Sequence, residues 1–225
     1  MTDTWIVGGA LRDELLGRPV RDVDIAVAGD PAPVARAVAE SVRGPVFRLS
    51  EAFGAWRVID RKRRQVWDFS PLQGGTIEED LRKRDFTVNA MARPVALPEH
   101  LDLGEGDLID PLGGRADLEA RVLRVLGPEA YERDPLRPLR LARFAAELGF
   151  EPDPETERLT AAAAPKVAKA AGERVFAELQ RLVIADGALA GIALADRLGL
   201  LRAVLPEVTD LHDVEQSHYH HLDVY

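Results

Sequence analysis

In a β-strand, residues i and i+2 point to the same face, and this makes Val20–Val27 the most constraining stretch of the chain. Its apolar residues alternate with Asp22 and Asp24. One face must therefore be buried while the other carries two carboxylates side by side. Upstream, the apolar run Trp5-Ile6-Val7 enters the glycine pair Gly8-Gly9, and a candidate helix, Ala10–Leu16, follows. A glycine-rich helix start presents backbone N–H groups to an anion. Paired carboxylates suit Mg²⁺, which commonly bridges one or two of them to substrate phosphates. Together the two features point to chemistry on a nucleoside triphosphate, with Asp22 and Asp24 as metal ligands beside a phosphate cradle at Gly8 and Gly9.

The rest of the first half reads as alternating strands and helices. Strands are predicted at Trp5–Val7, Asp22–Val27, Val46–Leu49, Ala55–Asp60 and Gln65–Phe69. Pro31–Val42 is predicted as a helix, with proline at its start and Gly44-Pro45 closing it. The last two strands form a hairpin whose tip is Arg61-Lys62-Arg63-Arg64, either a solvated turn or a contact for a polyanion. From about Asp117 the pattern turns helical: Asp134–Glu147 before Gly149, Thr156–Ala164 before Pro165, Glu173–Val183, and Ala188–Leu198 before Gly199. Leu136, Leu139, Phe144 and Leu148 make one apolar stripe, and Val175, Phe176, Leu179, Leu182 and Val183 another; both read as ordinary core.

Three further groupings could carry chemistry. Two-metal phosphoryl transfer calls for a third carboxylate. Asp68, in Val66-Trp67-Asp68-Phe69-Ser70, is the best candidate because sheet positions disfavour Asp; Asp60 and Asp80 are weaker ones. In Arg82-Lys83-Arg84-Asp85-Phe86-Thr87-Val88-Asn89, Arg84 could grip phosphate through its fork. Asp85 and Asn89, four apart on a helical face, could reach a ribose hydroxyl or simply be a solvated pair. In Asp134-Pro135-Leu136-Arg137-Pro138, Asp134 is predicted as an N-cap with Pro135 at the first helical position. Asp134 and Arg137 offer an acceptor and a donor that could meet a base edge. Arg140 and Arg143 add positive charge that a triphosphate would balance.

The 225 residues suffice for one large domain or two modest ones. No apolar run is long enough to span a membrane, and the N-terminus lacks the features of a signal peptide. Cysteine is absent, which excludes disulfides and thiolate metal sites and fits a cytoplasmic location. The net charge of −9 argues against a broad grip on nucleic acid, although the arginines are clustered. His212, His218, His220 and His221 crowd the tail beside Asp213 and Asp223. The chain stops there in mid-pattern, and the expectation is that the natural sequence continues.

Taken together, these motifs make the chain similar to the class II tRNA nucleotidyltransferases and bacterial poly(A) polymerases of the polymerase-β superfamily. The resemblance covers roughly residues 3–185. It rests on Gly8-Gly9-x-x-Arg12-Asp13 with Asp22-x-Asp24, on Arg82–Ala90 as the ribose-selecting motif, and on Ile109-Asp110-Pro111-Leu112-Gly113-Gly114 as the connector. Asp134-Pro135-Leu136-Arg137 resembles the nucleotide-templating motif, and Arg174–Leu182 the neck helix. The resemblance implies an α/β nucleotidyltransferase domain, a small mixed β-sheet with helices, over residues 1–115. An all-α neck over 116–185 and the start of a further helical, HD-type body over 186–225 would follow. It implies an enzyme that adds CMP or AMP, from CTP or ATP, to a tRNA 3′ end with Mg²⁺, as two ions. Asp22, Asp24 and Asp68 would be catalytic; Gly8, Gly9, Arg12, Arg84, Asp85 and Asn89 would bind the nucleotide, and Asp134, Arg137, Arg140 and Arg143 would form the base pocket. Poly(A) polymerase is the alternative, and a non-catalytic nucleotide sensor a distant third because the carboxylates are present.

Two departures from the family pattern stand out. Arg133 occupies the position where the templating motif usually carries Glu. Only residues 71–76 separate Ser70 from Ile77, where enzymes that build all of CCA usually carry a long flexible loop. Members that add only CC or only A can lack that loop.

Overall fold

In the computed structural model, residues 3–51, 53–98, 103 and 106–214 are described, and the chain divides into two compact units, Met1–Ala120 and Arg121–Tyr225. The first unit is built as β1 (Thr4–Val7), α1 (Gly9–Leu15), β2 (Asp22–Val27), α2 (Pro31–Val42), β3 (Val46–Ser50), β4 (Ala55–Asp60), β5 (Gln65–Pro71), α3 (Ile77–Leu81), a 3₁₀ turn (Thr87–Asn89), β6 (Ala92–Pro94) and α4 (Gly114–Ala120). The strands form one mixed sheet in the order β3-β4-β5-β2-β1-β6, in which only β2 and β5 run parallel. The alternation that predicts β2 sets its register. Val23, Ile25 and Val27 are buried, and so are Val58, Trp67 and Phe69 on β4 and β5. Each such side chain contributes about 1.5–3 kcal/mol of burial free energy, which fixes which face Asp22 and Asp24 must take.

Local chemistry explains the ends of these elements. Asp30 accepts from the Ala32 N–H at 2.9 Å to start α2, behind Pro31. The left-handed residue that ends α2 is Arg43, not the expected Gly44. Gly44 is needed for a different reason: a Cβ there would lie 2.2 Å from the Ile59 carbonyl oxygen of β4. The β4–β5 hairpin turns at the basic tip, where Asp60 Oδ1 accepts from the Lys62 and Arg63 N–H groups at 2.9 and 3.1 Å. That capping role accounts for Asp60. The connector also caps: Asp110 accepts from the Gly114 and Arg115 N–H groups at the start of α4.

The second unit contains β7 (Val122–Leu123), α5 (Pro128–Arg133), α6 (Arg137–Leu148), β8 (Glu151–Pro152), α7 (Pro154–Ala163), a 3₁₀ stretch (Ala164–Lys169), α8 (Gly172–Val183), α9 (Ala188–Arg197), α10 (Leu200–Val204) and α11 (Pro206–Thr209). It is helical as expected, apart from the two-residue parallel pairing of β7 with β8. Leu136, Leu139 and Phe144 are buried, and Gly149 ends α6 in the left-handed conformation. The N-cap prediction at Asp134 needs correction: α6 begins at Arg137, and Asp134 instead accepts from the Leu136 N–H at 3.1 Å in the preceding turn. The second apolar stripe also differs from expectation. Leu182 is buried, but Phe176 and Val183 are 65% and 56% exposed, and α8 meets α6 through the ion pairs Arg143–Glu178 and Arg181–Glu147. His212 lies 3.0 Å from Asp196; His218, His220, His221 and Asp223 lie outside the described residues. Among the described residues, no helix is long and apolar enough to cross a membrane.

The close approach at Gly44 gives a test of this packing. Gly44→Ala should lower stability by about 1–3 kcal/mol, the range for overpacking against atoms that cannot move aside. A urea unfolding curve would show a lower midpoint at unchanged slope; an unchanged midpoint would contradict the geometry.

Candidate nucleotide-binding and catalytic site

The acidic edge of the first unit is a consequence of register. Asp22 and Asp24 are exposed on β2, with buried Val23 between them. Parallel pairing sets Asp24 opposite Asp68 on β5, and antiparallel pairing sets Asp68 opposite Arg57 on β4. Cross-strand partners share a face, so three carboxylates and one guanidinium occupy one side of the sheet. Arg57 donates to both oxygens of Asp68, Nε to Oδ1 at 2.7 Å and Nη2 to Oδ2 at 2.6 Å. The hydrogen bond to Asp68 raises the Arg57 pKa further; partial burial opposes this, and the charges of Asp68, Asp22 and Asp24 reinforce it. Arg57 is therefore a permanent cation within the acidic group.

Both oxygens of Asp68, the expected third carboxylate, are thus engaged by a fork-shaped partner. Among the described residues, no group of three or more His, Cys, Asp or Glu side chains is arranged to hold an ion. The donor set that fits a metal is the exposed pair Asp22 and Asp24. Two carboxylates with phosphate oxygens supplying further ligands is a normal environment for a hard divalent cation.

A second cluster surrounds the glycine pair. Gly8 has φ 73° and stands at the start of α1. A side chain there would bring Cβ to 2.8 Å from Arg84 Nη1 and 3.6 Å from Asp24 Oδ2. The missing side chain thus lets the acidic edge and Arg84 approach the α1 backbone. Gly9 is the first residue of α1, and a Cβ there would lie 3.4 Å from Arg12 Nη2. Arg12 is buried, donating from Nη1 to Asn89 Oδ1 at 2.7 Å and from Nε to Asp13 Oδ1 at 2.9 Å. Asn89 in turn donates from Nδ2 to Asp85 Oδ1 at 3.0 Å. Arg84 donates to Asp80 Oδ2 from Nε at 3.2 Å and Nη2 at 3.0 Å, so Asp80 is a partner of Arg84.

Asp85 and Asn89 meet as predicted, but not on a helical face. The chain leaves α3 at Leu81 and reaches Asn89 through the 3₁₀ turn, which buries both side chains. Their polar groups serve Arg12 and the Phe86 N–H rather than standing in solvent.

In the second unit, Asp134 lies between α5 and α6. Its Oδ1 accepts from the Leu136 N–H, and its Oδ2 accepts from Arg174 Nη2 of α8 at 2.7 Å. Burial pushes the Asp134 pKa up, but the Arg174 hydrogen bond, the Leu136 N–H and the charges of Arg174 and Arg137 outweigh it, and the net shift is downward. Arg137 donates from Nη1 to the Ala130 carbonyl at 3.1 Å, which braces it on α5. Arg140 lies 5.5 Å from the centre of the Phe144 ring. Arg143 departs from the predicted pocket. It is 1% exposed, donates from Nη1 to Glu147 at 2.6 Å and from Nε to Glu178 of α8, and so ties α6 to α8. Burial lowers its pKa, and the two carboxylates oppose that shift.

Two residues have partners that the motif reading does not supply. Arg57 shares the strand alternation of β4, but nothing in sequence pairs it with Asp68. Arg174 is forty positions from Asp134, and no local pattern connects them.

Residues 4–124 match the family described as the poly A polymerase head domain, and residues 149–211 match a probable RNA and SrmB-binding site of polymerase A. The CC-adding tRNA nucleotidyltransferase of Geobacter sulfurreducens is 46% identical over 179 residues, 80% of this chain and 40% of that protein. The A-adding tRNA nucleotidyltransferase of Deinococcus radiodurans is 42% identical over 226 residues, 98% of this chain and 49% of that protein. A crystal structure of a tRNA nucleotidyltransferase complexed with a primer tRNA and an incoming ATP analog superposes with a TM-score of 0.79 at 30% identity, over 97% of this chain and 62% of that one. This chain thus spans half or less of the length of these two relatives. The head-domain match covers more than half of the chain, and the chain belongs to that family.

Proposed function

We propose that the protein is a cytoplasmic, Mg²⁺-dependent tRNA nucleotidyltransferase that adds CMP or AMP, from CTP or ATP, to the tRNA 3′ end. The observation that carries this reading is the exposed Asp22–Asp24 pair beside Gly8, with Arg84 close by. The CC-adding and A-adding activities named for relatives 46% and 42% identical support it. Divalent metal ions are general to nucleotidyltransferases of this family. Asp22 and Asp24 would hold Mg²⁺, which when bound lowers the cost of ionising the attacking hydroxyl and of releasing pyrophosphate. Gly8 and Gly9 leave room for the triphosphate, and Arg12 and Arg84 neutralise it. In-line attack then forms a bond from the tRNA 3′-oxygen to the α-phosphorus and breaks the α–β bridging bond, with the hydroxyl proton lost and pyrophosphate leaving. Asp134 and Arg137 read the base edge, as acceptor and donor.

Addition of only part of CCA is favoured by the connection from β5 to α3. Only residues 72–76 link the two elements. The Gln73 N–H donates to Asp80 Oδ1 at 2.9 Å, and the Gly75 N–H to Glu79 Oε2 at 2.7 Å. A link this short and this well bonded leaves little freedom to reshape the site between additions. With Mg²⁺, the protein should therefore extend some but not all of three tRNAs: one lacking all of CCA, one lacking CA and one lacking only A. No incorporation into any of them from CTP or ATP would refute the reading. Long ATP-only tails on unrelated RNA ends would favour a poly(A) polymerase instead.

The Asn89 contact makes a second prediction. Asn89→Ala removes a hydrogen bond to a charged group, of the order of 1.5 kcal/mol, so the nucleotide KM should rise about tenfold with kcat nearly unchanged. Steady-state kinetics that show an unchanged KM would remove Arg12 from triphosphate binding.

A further inference from the structure

We propose that Arg174 is a positioning residue for base selection: it holds the Asp134 carboxylate as a fixed, ionised acceptor that admits bases bearing an amino group. This rests on the reading of Asp134 given above and deepens it. Asp134 is not held by its own helix, because α6 starts at Arg137. It sits on an extended residue with φ −145° and ψ 108°, so its direction depends on side-chain contacts. One oxygen accepts from the Leu136 N–H at 3.1 Å, and the other from Arg174 at 2.7 Å. An ionised carboxylate offers about four acceptor positions. These two bonds aim the group and still leave a lone pair free on each oxygen.

What such a carboxylate accepts follows from base chemistry. Cytosine N4 and adenine N6 are amino donors, whereas uracil O4 and guanine O6 are acceptors. A carboxylate kept ionised cannot donate, so it meets cytosine and adenine favourably and repels uracil and guanine at the same edge. A protonated carboxyl would lose that discrimination because it could donate to a keto oxygen. Arg174 opposes protonation through its charge and opposes rotation through its bond. The side chain of Arg174 is 51% exposed and that of Asp134 19%. The Arg174 side chain therefore lies at the surface of the unit rather than in its core.

The test compares the wild type with Arg174→Gln, which keeps a donor without charge, and Arg174→Lys, which keeps charge without the fork. Incorporation of CTP, ATP, UTP and GTP is measured separately on the truncated tRNA that the wild type extends, and thermal unfolding is followed for each protein. Arg174→Gln should raise KM for the accepted nucleotide about tenfold and weaken discrimination against UTP and GTP by a similar factor, as expected for loss of a charge-assisted bond. Its kcat with the accepted nucleotide and its melting temperature should stay close to wild type. Arg174→Lys should recover part of the discrimination. Unchanged discrimination in Arg174→Gln would overturn the proposal. So would an equal loss with all four nucleotides, which marks a merely structural role. If the wild type extends no tRNA, the functional reading itself fails, and this proposal fails with it.

Discussion

Everything in the first unit depends on the row Asp24–Asp68–Arg57 across three neighbouring strands. Carboxylates brought together by a sheet repel one another, and the cost grows as water is excluded. Here the pairing that sets Asp68 beside Asp24 also sets Arg57 beside Asp68, and its two bonds at 2.7 and 2.6 Å neutralise one of the three charges. Asp22 and Asp24 lie on the exposed edge of this row. A slip of one residue in β2 would exchange this edge for Val23 and Ile25. The buried apolar residues thus enforce the position of the carboxylates, and the core and the chemistry are one design.

The cations of the candidate site are each held by partners within the protein. Arg12 is fixed by Asn89 and Asp13, Arg84 by Asp80, and Arg137 by the Ala130 carbonyl. Long side chains lose rotamer freedom when they bind, and fixing them in the free protein removes part of that cost. Gly8 contributes by absence, because any side chain there would collide with Arg84. In the second unit the same logic governs Asp134, whose two oxygens are held from different elements. In the proposed function, chemistry and base choice fall to separate units, each with its own fixed charges.

Much of this was legible in the sequence where the signal is local. The alternation of β2, the Pro31 start of α2, the hairpin at 55–71, and the stops at Gly149 and Gly199 all follow from periodicity or turn chemistry. The misses are tertiary. Arg143 reads as part of a base pocket whose positive charge a triphosphate would balance, yet Glu147 and Glu178 pair with it in the interior. Phe176 and Val183 read as core by spacing, yet α8 docks through Glu178, Arg181 and Leu182. Asp85 and Asn89 meet at the predicted spacing, but a 3₁₀ turn rather than an α-helix brings them together. Arg57 and Arg174 acquire meaning only from partners that folding places beside them.

In the proposed function, Asp22 and Asp24 form the metal-binding edge, with Asp68 engaged by Arg57. Mn²⁺ binding followed by electron paramagnetic resonance, in the presence of a non-hydrolysable CTP or ATP analogue, tests it most directly because no turnover is needed. Asp24→Asn should abolish high-affinity Mn²⁺ binding, whereas Asp68→Asn should leave most of it. Wild-type affinity in Asp24→Asn, or loss of binding in Asp68→Asn alone, would contradict the account.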